Sequence, residues 1–381
     1  MGRCPTSVSL ESFQDTAQYH RMRLRDLRTR ILFAIGASGL AVGGISACGS
    51  SDSTSGGAGA SGATATGAGG GEATSGAGGS SGGAMGGAAG EPSDASNAAD
   101  AKEEGDAKND TPDAPPSIRR PFLVGSSLRS AGPLTRDDWA TDIAPLASPV
   151  DRRTAAALHA SWLKDALDEH ASIAAFARFT MVMLSVGAPP DLIADSQRAS
   201  LDEIKHARAC FALARRYGSR DVGPGALEVA DSLGSVSLGD IAALTVQEGC
   251  VGETLGVLLA SEQLARAADP EVVRILRRIV ADENRHAELA WRFVKWAISV
   301  GGDEVERRIV EALDEALAQV ENVVVRDYGV DLALWHAHGR LSCTEARQVS
   351  ARGVQEVVLP CMDAVLRKTE TSTAQSVIIS A

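Results

Sequence analysis

From Asp151 onward, apolar residues recur at three- and four-residue spacing, the pattern of helices with one buried face. The pattern predicts a first helix over about 152–186, closed before Pro189-Pro190, and a second over about 190–217, stopped at Gly218. Residues 219–236 interrupt it with glycines and a proline. Ser237 to Asp240 reads as a capping box that opens a third helix over about 238–267. Asp269-Pro270 offers an N-cap and an N1 proline for a fourth, over about 270–300, which Gly301-Gly302 ends. A further helix follows over about 303–326, then a shorter one opened by the capping box Ser342 to Glu345 and interrupted by Pro360. Short loops join the first helix to the second and the third to the fourth, with one long connection between. This order predicts an all-α fold: an up-down-down-up four-helix bundle with extra C-terminal helices.

Before Asp151 the periodicity is gone. Arg21, Arg23, Arg25, Arg28 and Arg30 precede an apolar run from Ile31 to Gly44, which ends in Ile45-Ser46-Ala47-Cys48. Charge, apolar run, small residues and cysteine in that order resemble the signal and lipobox of bacterial lipoproteins. The resemblance implies a signal over residues 1–48 with its true start at Met22, and a lipid on Cys48. The partner would then be a membrane, with the domain on the periplasmic face of the envelope. The outer membrane is favoured, because Gly49 is not an Asp-type retention signal. Residues 49–118 read as a disordered linker, rich in Gly, Ser and Ala up to residue 90 and then acidic. An irregular lead-in is expected over 119–151, the bundle over 152–300, a C-terminal helical extension over 301–368 and a disordered tail over 369–381.

Composition narrows the function. The net charge is −12, and no basic cluster lies outside the N-terminus, which argues against nucleic-acid binding. Two stretches carry chemistry: Asp202-Glu203-Ile204-Lys205-His206 and Asp282-Glu283-Asn284-Arg285-His286. Both read D-E-x-x-H inside predicted helices, where residues three apart share a face and can bind one metal. A lone E-x-x-H is weak, yet here each is preceded by a helix bearing another glutamate, Glu169 before Glu203 and Glu248 before Glu283. Glutamates from two helices and E-x-x-H from the other two make a donor set suited to iron or manganese.

On these residues, 152–300 resembles a ferritin-like domain of the di-iron carboxylate superfamily. The resemblance implies two iron ions, with manganese as a substitute, held by Glu169, Glu203, His206, Glu248, Glu283 and His286. Redox chemistry with oxygen or peroxide on an unknown substrate would follow, no catalytic residue being named beyond the ligands. The alternatives are an iron-oxidising or metal-handling lipoprotein, or a tethered helical module without catalysis. Glu253 rivals Glu248, but five positions on an α-helix put it about 140° away; it stands as an extra ligand or a neighbour of one. Asp202 and Asp282 are either hydrogen-bond acceptors for the ligand imidazoles or solvated charges. His170, beside Glu169, is read as a neighbour rather than a ligand, and His336 and His338 as surface or cap groups. Absence of C-x-x-C leaves no rubredoxin-type iron, so electrons would need an external donor. Cys343 and Cys361 are candidates for a disulfide.

Overall fold

The computed structural model describes residues 10–36, 120–125, 127–234, 237–321 and 328–367. Cys48, the linker over 49–118 and the tail over 369–381 lie outside them. The fold is mostly helical.

Three helical runs begin where a side chain meets their free N–H groups, while the run from Pro190 starts on prolines with no side-chain cap. Asp151 accepts from the backbone of Arg153 and Thr154 and starts α2, following the N-terminal α1 (Leu10–Ala34). The helix α2 spans Arg152–Ser185 and α3 spans Pro190–Gly218. Gly218 is the last residue of α3, packed so closely that a Cβ there would sit 2.2 Å from His159; the left-handed position falls one later, on Ser219. The capping box at Ser237 and Asp240 forms and opens α4 (Leu238–Thr245). The third predicted helix is not one regular helix. A π-helical segment, Val246–Glu253, separates α4 from α5 (Thr254–Arg266). Asp269 caps the next helix, accepting from Glu271 and Val272 at 3.1 Å. That helix, α6 (Pro270–Glu321), breaks at Gly302, whose φ of 59° only glycine adopts without strain. The end predicted at Gly301-Gly302 is therefore a sharp joint between two helical runs.

Two short antiparallel ribbons flank the helices. Strand β1 (Leu123–Val124) pairs with β2 (Ser127–Leu128), and β3 (Pro133–Leu134) pairs with β4 (Gly223–Pro224). The lead-in is thus fastened to the long connection between α3 and α4. At the C-terminal side lie α7 (Leu332–Ala337) and α8 (Cys343–Gly353), the latter opened by the Ser342–Glu345 capping box. Pro360 does not interrupt this helix. A second π-helical segment, Val354–Val358, widens the turn before the proline, and the helix continues to residue 367. Cys343 and Cys361 therefore stand eighteen residues apart along one helical run, about 27 Å at helical rise. No disulfide joins them.

Two large apolar clusters form most of the core, beside a small third one of Phe122, Ala171 and Ala175. One takes Phe176 and Met183 from α2, Leu192 and Ala199 from α3, Ile241 and Leu255 from the third helical run, and Ala287 to Ile298 from α6. The other takes Leu158 and Trp162, Phe211 and Leu213, Ala260, and Val272 to Ile279. Hence α2 runs from the second cluster to the first and α3 returns. The run α4–α5 also goes from first to second, and α6 goes back to the first. Helix α1 seals the first cluster. Leu24, Leu27, Ile31 and Ile35 are buried, Arg30 pairs with Glu288 at 2.8 Å, and Lys295 donates to the Ile35 carbonyl. These residues fall within the segment read from sequence as an export signal. Among the described residues no helix is long and apolar enough to cross a membrane.

Candidate metal centre

Between the two apolar clusters, at matching height on α2, α3, the third helical run and α6, lie six polar side chains. Glu169, Glu203, His206, Glu253, Glu283 and His286 are each 0–2% exposed. Ligand atoms of Glu169, Glu203, His206 and Glu283 lie within 4.8 Å of one another, and so do those of Glu253, Glu283 and His286. Glu283 belongs to both groups. Glu203 reaches across as well, its Oε1 3.0 Å from His286 Nδ1. The i, i+3 spacing does what helical geometry requires: His206 Nδ1 lies 3.8 Å from Glu203, and His286 Nδ1 lies 3.2 Å from Glu283.

Both imidazoles turn Nδ1 to the cluster and Nε2 away from it. His206 Nε2–H donates to Asp282 at 3.1 Å, and His286 Nε2 faces Asp202 at 3.9 Å. The arrangement crosses over, each aspartate facing the histidine of the opposite helix. Arg285 joins the two, its Nη2 2.8 Å from Asp202 and 2.7 Å from Asp282. Asp282 is therefore an acceptor for an imidazole, while Asp202, also buried, stands beyond hydrogen-bond distance of His286 and is held by Arg285 and Lys205.

Glu248 is elsewhere. Its carboxylate accepts from Arg178 at 2.5 Å, stands 3.5 Å from Arg120 Nε, and is not among the clustered ligand atoms. The reason is the π-helical segment, which contains both Glu248 and Glu253. A π turn closes between i and i+5, so residues five apart come back to nearly the same face. The 140° separation holds only for an α-helix. Both glutamates point inward, one a turn beyond the other, and Glu253 is the one level with Glu283. Gly249 lets the segment come this close to α6, since a Cβ there would lie 2.5 Å from that of Ala290.

Burial and neighbouring charge shape the titration of these groups. Burial favours the neutral imidazole of His206, but Asp282, Glu203 and Glu283 override it and push the pKa up to about 10. His286 is raised well above its ordinary value by the same opposition, with Asp202, Glu203 and Glu283 prevailing over burial. Glu253 is raised far above the carboxylate range, by burial first and then by Glu283 beside it. Glu283 is held far below, because both histidines outweigh its burial. Without a cation the cluster thus gathers protons as its counter-charge. Glu203 Oε2, Glu253 Oε1 and His206 Nδ1 also lack a hydrogen-bond partner despite being buried. Four buried carboxylates with two imidazoles, all converging, fit a bound metal better than an empty core. The cluster could hold a metal ion.

The remaining sequence candidates fall outside it. His170 packs edge-on against Trp139, with ring centroids 5.0 Å apart. His336 pairs with Glu345 at 2.9 Å, and His338 Nδ1 meets the Tyr217 hydroxyl at 2.8 Å, which makes them packing and capping groups. Sequence reasoning missed Arg120 and Arg178, the partners of Glu248. A signal was present: Arg178 is a single charge inside the apolar stretch from Ala174 to Leu184, and such a charge needs a buried partner. Comparison with protein families, with curated proteins and with solved structures finds no match for this chain.

Proposed function

We propose that the chain is a ferritin-like protein with a dinuclear iron or manganese site, carrying out redox chemistry with oxygen or peroxide. The observation that carries this reading is one carboxylate, Glu283, shared by two ligand groups, with a histidine in each. Glu169, Glu203, His206 and Glu283 would hold one metal, and Glu253, Glu283 and His286 the other. The up-down-down-up course of the helices supports it. So does charge, since four carboxylates balance two divalent ions and leave nothing uncompensated in the core.

Two adjacent redox metals with open positions supply two-electron chemistry with oxygen. The chain's own part is to orient and insulate. Asp282 keeps a proton on His206 Nε2, so His206 Nδ1 presents its lone pair inward. Phe176 stands 5.0 Å from the His286 ring and shields that side from water. Arg285 holds the two aspartates at their posts.

The test is metal analysis with anaerobic iron(II) loading followed by oxygen, in wild type and in Glu203→Ala with Glu283→Ala. Wild type should bind about two metals per chain and change its optical spectrum on oxygen exposure, and the double variant should do neither. Stoichiometric zinc, no metal, or equal binding by the double variant would overturn the reading.

A further inference from the structure

Beside the cluster lies a cavity of about 440 Å³, within the size range that takes small organic molecules. Its walls come from α2, α4, the second run of α6 and the β1 turn, and include the apolar side chains Phe179, Val182, Ile241, Leu244 and Ala312. Its inner end holds three charged groups, Arg120, Arg178 and Glu248. Glu248 is already satisfied by Arg178 at 2.5 Å, and Arg178 also donates to the Leu123 carbonyl. Arg120 is left over. It is 2% exposed, its Nε is 3.5 Å from Glu248, too far for a good hydrogen bond, and neither Nε nor Nη1 has a hydrogen-bond partner among the described residues. At the mouth the charges pair off, Arg308 with Asp240 at 2.9 Å and Gln247 with Glu315. The mouth keeps the negative charges of Asp231 and Glu315, while the buried end, with Arg120 and Arg178 against Glu248, carries one surplus positive charge. With metals bound the neighbouring cluster is neutral and leaves that charge unanswered. A buried guanidinium that has only a long ion pair and unfilled N–H groups is costly, and a carboxylate matches its fork.

We propose that this cavity binds a small organic acid, its carboxylate on Arg120 and its apolar body along Phe179, Val182 and Leu244. Position supports a substrate rather than a structural anion. The Arg120 guanidinium carbon lies 4.4 Å from the Phe176 ring, and that ring lies 5.0 Å from His286. One aromatic ring thus separates the bound acid from the cluster. This inference rests on the metal reading for its chemistry but not for its binding.

The test is calorimetry on the full chain, metal-free and manganese-loaded, with octanoate, its methyl ester and sulfate as probes, and with metal content measured on each sample. Octanoate should bind at least about tenfold more tightly than the uncharged ester or sulfate. Arg120→Met should remove that preference. Leu244→Trp, which fills the cavity without touching a charge, should abolish binding, with the manganese content of both variants unchanged. Equal binding of acid and ester, sulfate binding as tight as octanoate, or an unaltered octanoate affinity in both variants would each overturn it. Absent octanoate binding with normal metal loading sinks the acid site alone. Octanoate binding by a chain that takes up no manganese on loading would uphold the acid site and sink the metal centre.

Discussion

Glu253 and Glu248 are the same residue type, five positions apart, both 1% exposed, and they serve different purposes. Glu253→Ala should lower bound metal from about two per chain to about one, measured by elemental analysis after manganese loading. Glu248→Gln should keep its metal but lose roughly 3–5 kcal/mol of stability in denaturant unfolding, because Arg120 and Arg178 remain buried without their counter-charge. Asp282→Asn should weaken metal binding by about 10–100-fold in chelator competition, as the imidazole of His206 loses its acceptor. Five of the six clustered side chains were legible in the sequence, since each D-E-x-x-H carries its own geometry in an α-helix and Glu169 lies in a regular one. The sixth was not. Equal chain spacing paired Glu248 with Glu169, and an α-helical rotation set Glu253 aside; neither argument survives a π turn, which composition does not announce.

At the scale of elements, boundaries were read well wherever a side chain marks them. The capping residues Asp151, Ser237, Asp269 and Ser342 all act as their spacing predicts. Where no side chain marks the change, as in both π-helical segments, the sequence showed only continuous helix. Asp269 does more than cap α6, because Arg216 at the end of α3 grips its carboxylate at 2.8 and 3.0 Å. Burial alone would raise its pKa, but Arg216 and the Val272 N–H hold it below the model-compound value of 3.8. A depressed carboxylate contributes stability that is complete above its unfolded pKa and lost as pH falls through the folded one. Asp269→Ala should therefore cost about 2–4 kcal/mol at pH 7, the cap and the buried ion pair together. The gap from wild type should stay constant above about pH 4 and narrow below it, read from urea midpoints across pH.

The described helices build two large apolar clusters with a polar layer between them, and α1 closes one of the clusters. A chain starting at residue 119 lacks Leu24, Leu27, Ile31 and Ile35 and uncovers the surface they occupy. Its melting midpoint should fall by at least about 5 °C relative to the full chain in calorimetry; equal midpoints would show that α1 adds nothing to stability. The first cluster could not be fully assigned from sequence, since the arginine-bearing apolar segment reads as an export signal, whereas its apolar side chains are buried against the helices. The two uses exclude each other: an export machinery would have to hold these residues extended, whereas the folded core takes up the same side chains face inward, so a chain with α1 docked has no such segment left to offer.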